Sequence, residues 1–310
     1  GLWTNIWNGE NRLVRTESLS SVPESARARV DWTYLPDGRW IERIVSTWVG
    51  GSYVPQSTNR FVWDGQVLLG ILGEDNAATL SFMRGLDLSS SMQGAGGVGG
   101  LLAVADHSTS EIHFVGNDGN GNVTLLINAA NAIESARYIY SPYGETLRCT
   151  GEMAKNNPIR FSTQFADAVS GDAKYLFREY RPTTGRWLSR DPLEDAELIE
   201  GPNLYIFNRN NPINGIDTDG RGSIANPANA AIAADALAAA EGTTVSATGL
   251  GIGATAATAL HVIPDTLPDD KEKDKCKKCP ECKPYKAGTR AYQVHRVPPS
   301  EEHGPWPDDH

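Results

Sequence analysis

The sequence predicts a mainly β protein: an antiparallel sheet that curls, followed by a small Ala/Gly-rich helical or irregular C-terminal region. Three observations carry this reading. Asp-Gly, Asn-Gly and Pro-x-Gly turns recur through residues 1–220, each flanked by aromatic or β-branched runs of strand length. Between residues 158 and 220 turn formers come so often that only short strands fit. From residue 221 the composition changes, with Ala, Gly, Thr and Ser replacing the aromatics.

In chain order, the first 150 residues repeat one grammar. Trp7-Asn8-Gly9, Tyr34-Leu35-Pro36-Asp37-Gly38, Phe61-Val62-Trp63-Asp64-Gly65, Asp118-Gly119-Asn120-Gly121 and Tyr138-Ile139-Tyr140-Ser141-Pro142-Tyr143-Gly144 each run a strand into a turn. Both central residues of a type I′ turn need positive φ, so Asp-Gly and Asn-Gly predict two-residue hairpins of that type. The spacing is 27 residues from Asp37 to Asp64 and 23 from Asp118 to Ser141, which suits repeated strand-turn-strand units. Further on, Thr183-Thr184-Gly185 and Asn210-Asn211-Pro212 supply turns. Gly tolerates positive φ, Asn bonds its own backbone, and Pro disfavours helix at the residue before it. Strands of about four to eight residues follow, with 174–178, 186–188 and 204–207 among them. Residues 1–220 are then expected to form one continuous sheet with a buried face. A plain β-sandwich with Asp-Gly turns is the competing architecture.

Residues 221–268 read as a linker or helix. Residues 229–241 are Ala-rich, and 243–260 carry no charge and include Gly249, Gly251 and Gly253. That stretch nearly reaches bilayer length, but it has few large apolar side chains, so no stable membrane span is expected. A tether and a translocation segment both remain open readings. In residues 269–310 the spacing Cys276-x-x-Cys279-x-x-Cys282 can converge three thiolates on one zinc ion, with His295 or His303 as the fourth ligand. Free or disulfide-linked thiols are the other reading of the same cysteines. The alternating charges of 271–278 suit a solvated connection. Cys149 has no partner that spacing identifies.

Within residues 158–220, Arg178-Glu179-Tyr180-Arg181-Pro182, Thr184-Gly185-Arg186-Trp187-Leu188-Ser189-Arg190-Asp191-Pro192, Asn203-Leu204-Tyr205 and Asn210-Asn211-Pro212-Ile213-Asn214 to Asp217 appear as ordered blocks. They resemble the core domain of Rhs/YD-repeat proteins, a polymorphic toxin family, and the hairpin phrases upstream resemble YD repeats. The resemblance implies a YD-repeat sheet over 1–150, a core domain over 151–220, and a variable C-terminal tail over 269–310. The sheet would be part of a curled shell, and the core segment would close it. In such proteins the core acts as a cis-acting aspartyl protease that cuts the chain once, keeping the released effector inside the shell. Carried over by position, the two carboxylates fall on Asp191 and Asp217, the supporting arginine on Arg178, and the cut on Arg221-Gly222. Two carboxylates held close cannot both ionise cheaply, so one keeps a proton to donate while the other accepts one from water. Implied partners are the chain's own C-terminal effector segment, missing N-terminal repeats and a cognate immunity protein, and the implied location is secreted or at a bacterial cell surface. No cofactor is implied for the core. Asp191 and Asp217 also fit as plain turn formers.

Two features depart from the family pattern. Thr218 and Arg221 stand where Pro and Leu end the usual core, so that an Arg is expected to enter an apolar subsite. The 194–201 stretch is several residues longer, and its acids Glu194, Asp195, Glu197 and Glu200 read as surface charge. The chain opens inside a repeat-like phrase without Met or a signal peptide, and it closes on Asp308-Asp309-His310. It reads as the C-terminal fragment of a longer protein, with a truncated tail.

With 310 residues, 40% hydrophobic and 21% charged, the chain is long and apolar enough to bury a real core. A net charge of -10 disfavours a nucleic-acid or anionic-membrane surface. No nucleotide-binding loop, Ser-His-Asp set or complete metal-hydrolase motif occurs. Two function classes stand: a self-processing toxin carrier, and a non-catalytic YD-repeat surface or interaction protein whose core motif is only a structural cap.

Overall fold

The computed structural model describes residues 2–225. Twelve strands follow one another: β1 (Trp3–Trp7), β2 (Leu13–Ser18), β3 (Ala28–Tyr34), β4 (Trp40–Val49), β5 (Ser52–Asp64), β6 (Val67–Leu72), β7 (Ala78–Arg84), β8 (Leu101–Asp106), β9 (Glu111–Asn117), β10 (Val123–Asn128), β11 (Glu134–Tyr140) and β12 (Thr146–Thr150). They form one antiparallel meander in sequence order, with no crossover. The mainly β class is therefore the one the chain adopts. Two strands exceed the expected length, β4 with 10 residues and β5 with 13. Pro55 does not break β5, because it sits where the register slips opposite Val45 and Ser46.

Five hairpin tips share one hydrogen-bond pattern. Asn8, Leu35, Gly73, Asp118 and Ser141 each donate their N–H to the carbonyl four residues on and accept the N–H three residues on. That third residue is left-handed every time: Asn11 (φ 59°), Gly38 (98°), Asn76 (63°), Gly121 (74°) and Gly144 (84°). The strand register slips beside each tip. These are three-residue loops closed by a bulge, not the two-residue type I′ hairpins expected. The side chains of Asn8, Asp37, Asp75 and Asp118 each accept an amide two residues further on; at Asn8 and Asp118 that amide precedes the left-handed residue, and at Asp37 and Asp75 the bond spans it. Asp64-Gly65 differs, since Gly65 and Gln66 alone join β5 to β6 and only Gly65 has positive φ.

One face of the sheet is buried. Val30, Trp32, Trp40, Phe61, Phe82, Leu101, Val104, Leu126 and Tyr138 form a single cluster with Met153, Ala154, Ile159 and Phe165. Trp40 lies 4.4 Å from the Phe61 ring and 5.2 Å from Phe165. At the far side of the sheet, the Tyr138 hydroxyl donates to the Ala154 carbonyl. β3 and β11 stand eight positions apart, about 38 Å if the sheet were flat. Both reach one short segment that folds back through the Ile159–Phe165 bridge, so the sheet curls round it.

The sheet does not continue to residue 220 as expected; it ends at Thr150. Gly151 turns the chain with φ 100° where a Cβ would collide with the Ser135 carbonyl, and the backbone dives under the sheet. A second, small sheet follows: β13 (Phe165–Ala166), β14 (Ala173–Lys174), β15 (Glu179–Arg181) and β16 (Arg186–Trp187). Its core is aromatic, with Tyr175, Tyr180, Trp187, Phe161 and Phe207 clustered and Tyr180 stacked 4.1 Å from Phe207. The expected strand over 174–178 stops at Lys174, because the Tyr175 N–H closes a turn onto the Arg178 carbonyl. The one expected over 204–207 reduces to a single bridge between Ile206 and Arg186. A last hairpin pairs β17 (Gly215–Asp217) with β18 (Ser223–Ala225).

Trp40 is 2% exposed, while Phe114 on the opposite face is 56% exposed. Trp40→Ala should therefore cost about 3–5 kcal/mol in urea unfolding, and Phe114→Ser should stay within about 0.5 kcal/mol. Equal losses at the two positions would mean that the buried face has been misassigned.

Candidate active site

The turn at residues 175–178 aims Arg178 inward, where it is 2% exposed. Its guanidinium lies 4.1 Å from the Trp187 ring centroid. Nε donates to the Gly220 carbonyl and Nη1 to the Leu204 carbonyl at 3.3 Å. Nη2 meets Asp191 Oδ2 at 2.8 Å and Asp217 Oδ2 at 3.5 Å. One nitrogen thus gathers both carboxylates, and the three residues the sequence singled out come together.

Asp191 follows β16. Its backbone N–H donates to the Leu204 carbonyl at 3.1 Å, which explains why the Asn203-Leu204-Tyr205 block belongs to the site. Its Oδ1 accepts the Leu193 N–H across Pro192 at 2.9 Å. Asp217 ends β17, and residues 218–222 wrap its carboxylate before β18 begins. Oδ1 accepts the Gly220 N–H at 2.6 Å and the Asp219 N–H at 3.2 Å, and Oδ2 accepts the Gly222 N–H at 3.2 Å. That last nitrogen belongs to the Arg221–Gly222 peptide bond.

Burial pushes the Asp217 carboxyl up to about 7, outweighing the pull of Arg178 and of the Gly220 amide in the other direction. Burial also raises Asp191, against the Leu193 amide and Arg178. The same desolvation lowers Arg178, although both carboxylates favour its charge. Near neutral pH the cluster is therefore poised to hold one proton on Asp217.

Arg221 does not enter an apolar subsite. Its guanidinium lies 3.9 Å from the Phe177 ring centroid, and it pairs with Asp219 Oδ2 at 2.7 Å while its side chain stays 43% exposed. Glu200 also departs from its reading as surface charge. Its side chain is 7% exposed, and both oxygens receive Arg209 nitrogens at 3.0 Å. Glu197 pairs with Arg190 at the surface, and Asp195 takes a left-handed conformation ahead of a short helix.

One element of the site was missed in the sequence. The run Gly94-Ala95-Gly96-Gly97-Val98-Gly99-Gly100 is drawn in by Asp87, whose Oδ2 accepts the Ala95 and Gly97 amides at 2.7 and 3.1 Å. A Cβ at Gly96 would collide with the Thr218 carbonyl oxygen, so only glycine lets this loop press on the segment after Asp217. Five glycines in seven residues was the available signal. Cys276, Cys279, Cys282, His295 and His303 lie outside the described residues, as does the uncharged 243–260 stretch. Among the described residues no helix is long and apolar enough to cross a membrane.

No protein-family model matches the chain. It is 44% identical over 85 residues to the toxin subunit YenC2 of Yersinia entomophaga, a match covering 26% of this chain and 8% of that protein. It is 26% identical over 222 residues to the double-stranded DNA deaminase toxin A of Burkholderia cenocepacia, covering 68% of this chain and 15% of the relative. The crystal structure of TcdB2-TccC3 matches with a TM-score of 0.53 and 23% identity over 71% of this chain and 10% of that one, a likeness that speaks for the fold alone. The chain spans only a small part of the length of the relatives it matches. These similarities relate it to bacterial toxin subunits.

The state of Asp217 predicts a pH dependence of stability. Its ordinary value is 3.8 and its folded value about 7, so between those limits the native state holds a proton that the unfolded chain releases. Stability should fall as pH rises through this window, by up to about 1.4 kcal/mol per pH unit. Asp217→Asn should flatten the slope. Denaturant melts of both proteins from pH 4 to 8 test this, and parallel curves would refute a protonated Asp217.

Proposed function

We propose that this chain is part of a polymorphic toxin carrier whose core segment cuts its own backbone between Arg221 and Gly222. The observation that carries the reading is the position of the Gly222 nitrogen, 3.2 Å from Asp217 Oδ2, with Asp191 on the same guanidinium nitrogen. Ionised Asp191 takes a proton from a water that attacks the Arg221 carbonyl carbon. Protonated Asp217 passes its proton to the Gly222 nitrogen as the C–N bond breaks. The new acid on Arg221 gives its remaining proton to the Gly222 amine, so the products are a carboxylate and an ammonium, and the dyad keeps one proton, now on Asp191. Arg178 holds the loop by the Gly220 carbonyl and keeps Asp191 charged. Because the bond is tethered beside the dyad, one cut per chain is the expected stoichiometry.

Cutting needs Asp217 protonated and Asp191 ionised, so the rate should decline as pH rises past about 7 and again at acid pH. Similarity to toxin subunits supports placing the chain on the delivery side of such a system, outside a bacterial cell. The segment that begins at Gly222 is then the released cargo, and a cognate immunity protein is its counterpart in the producing cell.

A second reading has its own support. Asp217 Oδ1 and Asp191 Oδ1 both close turns onto following amides, which suffices to explain two aspartates in a non-catalytic interaction protein. Mass spectrometry of the purified chain decides between them. Cutting predicts two fragments joining at Arg221–Gly222, and Asp191→Asn or Asp217→Asn should leave the chain intact with an unchanged β signature in circular dichroism. Arg221→Leu should still cut within about tenfold of the wild-type rate, because the lost contacts with Phe177 and Asp219 lie at the exposed rim. An intact wild-type chain at pH 5–7 would leave the interaction reading standing.

A further inference from the structure

Residues 194–201 look like a surplus in a connection that needs fewer residues. In the structure they build α1 (Ala196–Ile199), a single turn whose Ala196 is fully buried, and they end by delivering Glu200. Glu200 Oε1 accepts the Ser223 N–H at 3.2 Å. A Cβ on Gly222 would stand 3.3 Å from the same oxygen, so the approach is close enough to favour glycine there. Arg209, held at φ 50°, supplies the counter-charge through two bonds of 3.0 Å. Burying a carboxylate is costly unless paired, and here the pairing leaves one oxygen shared with a backbone amide just past the candidate cut.

Two successive amides on the leaving side of the Arg221–Gly222 bond are thus gripped by different carboxylates, Gly222 by Asp217 and Ser223 by Glu200. The N-terminal side of the bond has its own restraint, since Arg178 holds the Gly220 carbonyl. A peptide bond fixed on both flanks presents one face to the dyad. Misplacement by about 1 Å is enough to cost about a hundredfold in rate.

We propose that Glu200 is a positioning residue for self-cleavage, holding the leaving side of the Arg221–Gly222 bond through the Ser223 amide, with Arg209 as its partner. This rests on the reading of the core segment as self-cleaving. Glu200 also belongs to the electrostatic surroundings of Asp191, together with Arg178 and with Asp217 on the same guanidinium. Its charge and its hydrogen bond therefore have separable consequences.

Time courses of cutting by mass spectrometry, in the full chain from pH 4 to 8, separate them. Glu200→Ala removes the acceptor and should slow cutting by about a hundredfold. Glu200→Gln keeps an oxygen for Ser223 and should stay within about threefold at the optimum, while its acid limb moves to lower pH because Asp191 loses a negative neighbour. Glu200→Ala cutting at the wild-type rate would overturn the proposal. Equal slowing in both variants with an unshifted pH profile would also overturn it, marking Glu200 as merely structural. An uncut wild-type chain would instead sink the self-cleavage reading and this inference with it, an outcome distinct from a cut wild type beside an equally active Glu200→Ala.

Discussion

Everything at the site is arranged around one buried cation. Arg178 is 2% exposed and lies on Trp187, and each of its three nitrogens has an oxygen partner: the Gly220 and Leu204 carbonyls, and the paired carboxylates of Asp191 and Asp217. A guanidinium this deep is tolerated only when its charge is paired and its nitrogens are hydrogen-bonded. One positive charge balances one of two carboxylates, so a fully ionised cluster would carry an extra negative charge in a desolvated place. Keeping a proton on one acid relieves that excess. Asp217, the more enclosed of the two, is where burial puts it.

The large sheet serves this cluster by its tips and its loops rather than by its strands. The Gly38 tip approaches the Phe177 ring that also carries Arg221, the Asp87 loop presses Gly96 against Thr218, and Asn120 donates to the Pro212 carbonyl. Deeper in, buried ion pairs tie the core segment to the sheet. Arg43 meets Asp167 at 2.6 Å, and Lys174 joins Glu179 and the Tyr34 hydroxyl over the Trp32 ring. Burial lowers Lys174 despite that carboxylate and raises Tyr34, so this is a strongly desolvated contact. Such pairs add little net stability but tolerate few alternative arrangements, which suits a segment whose geometry must be held.

The sequence made the strands and the triad legible for different reasons. Asp-Gly and Asn-Gly mark turns because few residues accept positive φ, but the dipeptide does not say which residue takes it. At the 118–122 tip it is Gly121 rather than Gly119, and the loop is one residue longer than a type I′ turn. Arg178, Asp191 and Asp217 were found because their blocks resemble a known family in order. The strand expected over 204–207 does not form: its two buried side chains, Leu204 and Phe207, stand three positions apart, which is not strand period, and only Ile206 bridges, to Arg186. Glu200 reads as surface charge because four acids in a loop look solvated, and only the fold reveals that Arg209 and Ser223 converge on the last of them.

The turn-forming and the catalytic readings of Asp217 draw on the same bonds. An aspartate that caps the amides of Asp219 and Gly220 forces its chain to circle the carboxylate, and a chain that circles closely enough brings Gly222 N–H to the second oxygen. A plain turn former needs only the first half of this arrangement and gains nothing from being buried. Asp217 is 1% exposed, opposed by another buried acid, and served by an arginine that binds the loop on the other side. Turn chemistry explains the path of residues 217–222, but not the burial of two carboxylates against a single guanidinium. That extra burial works against the charged form of both acids, and proton transfer at the Arg221–Gly222 bond is a use that would justify it.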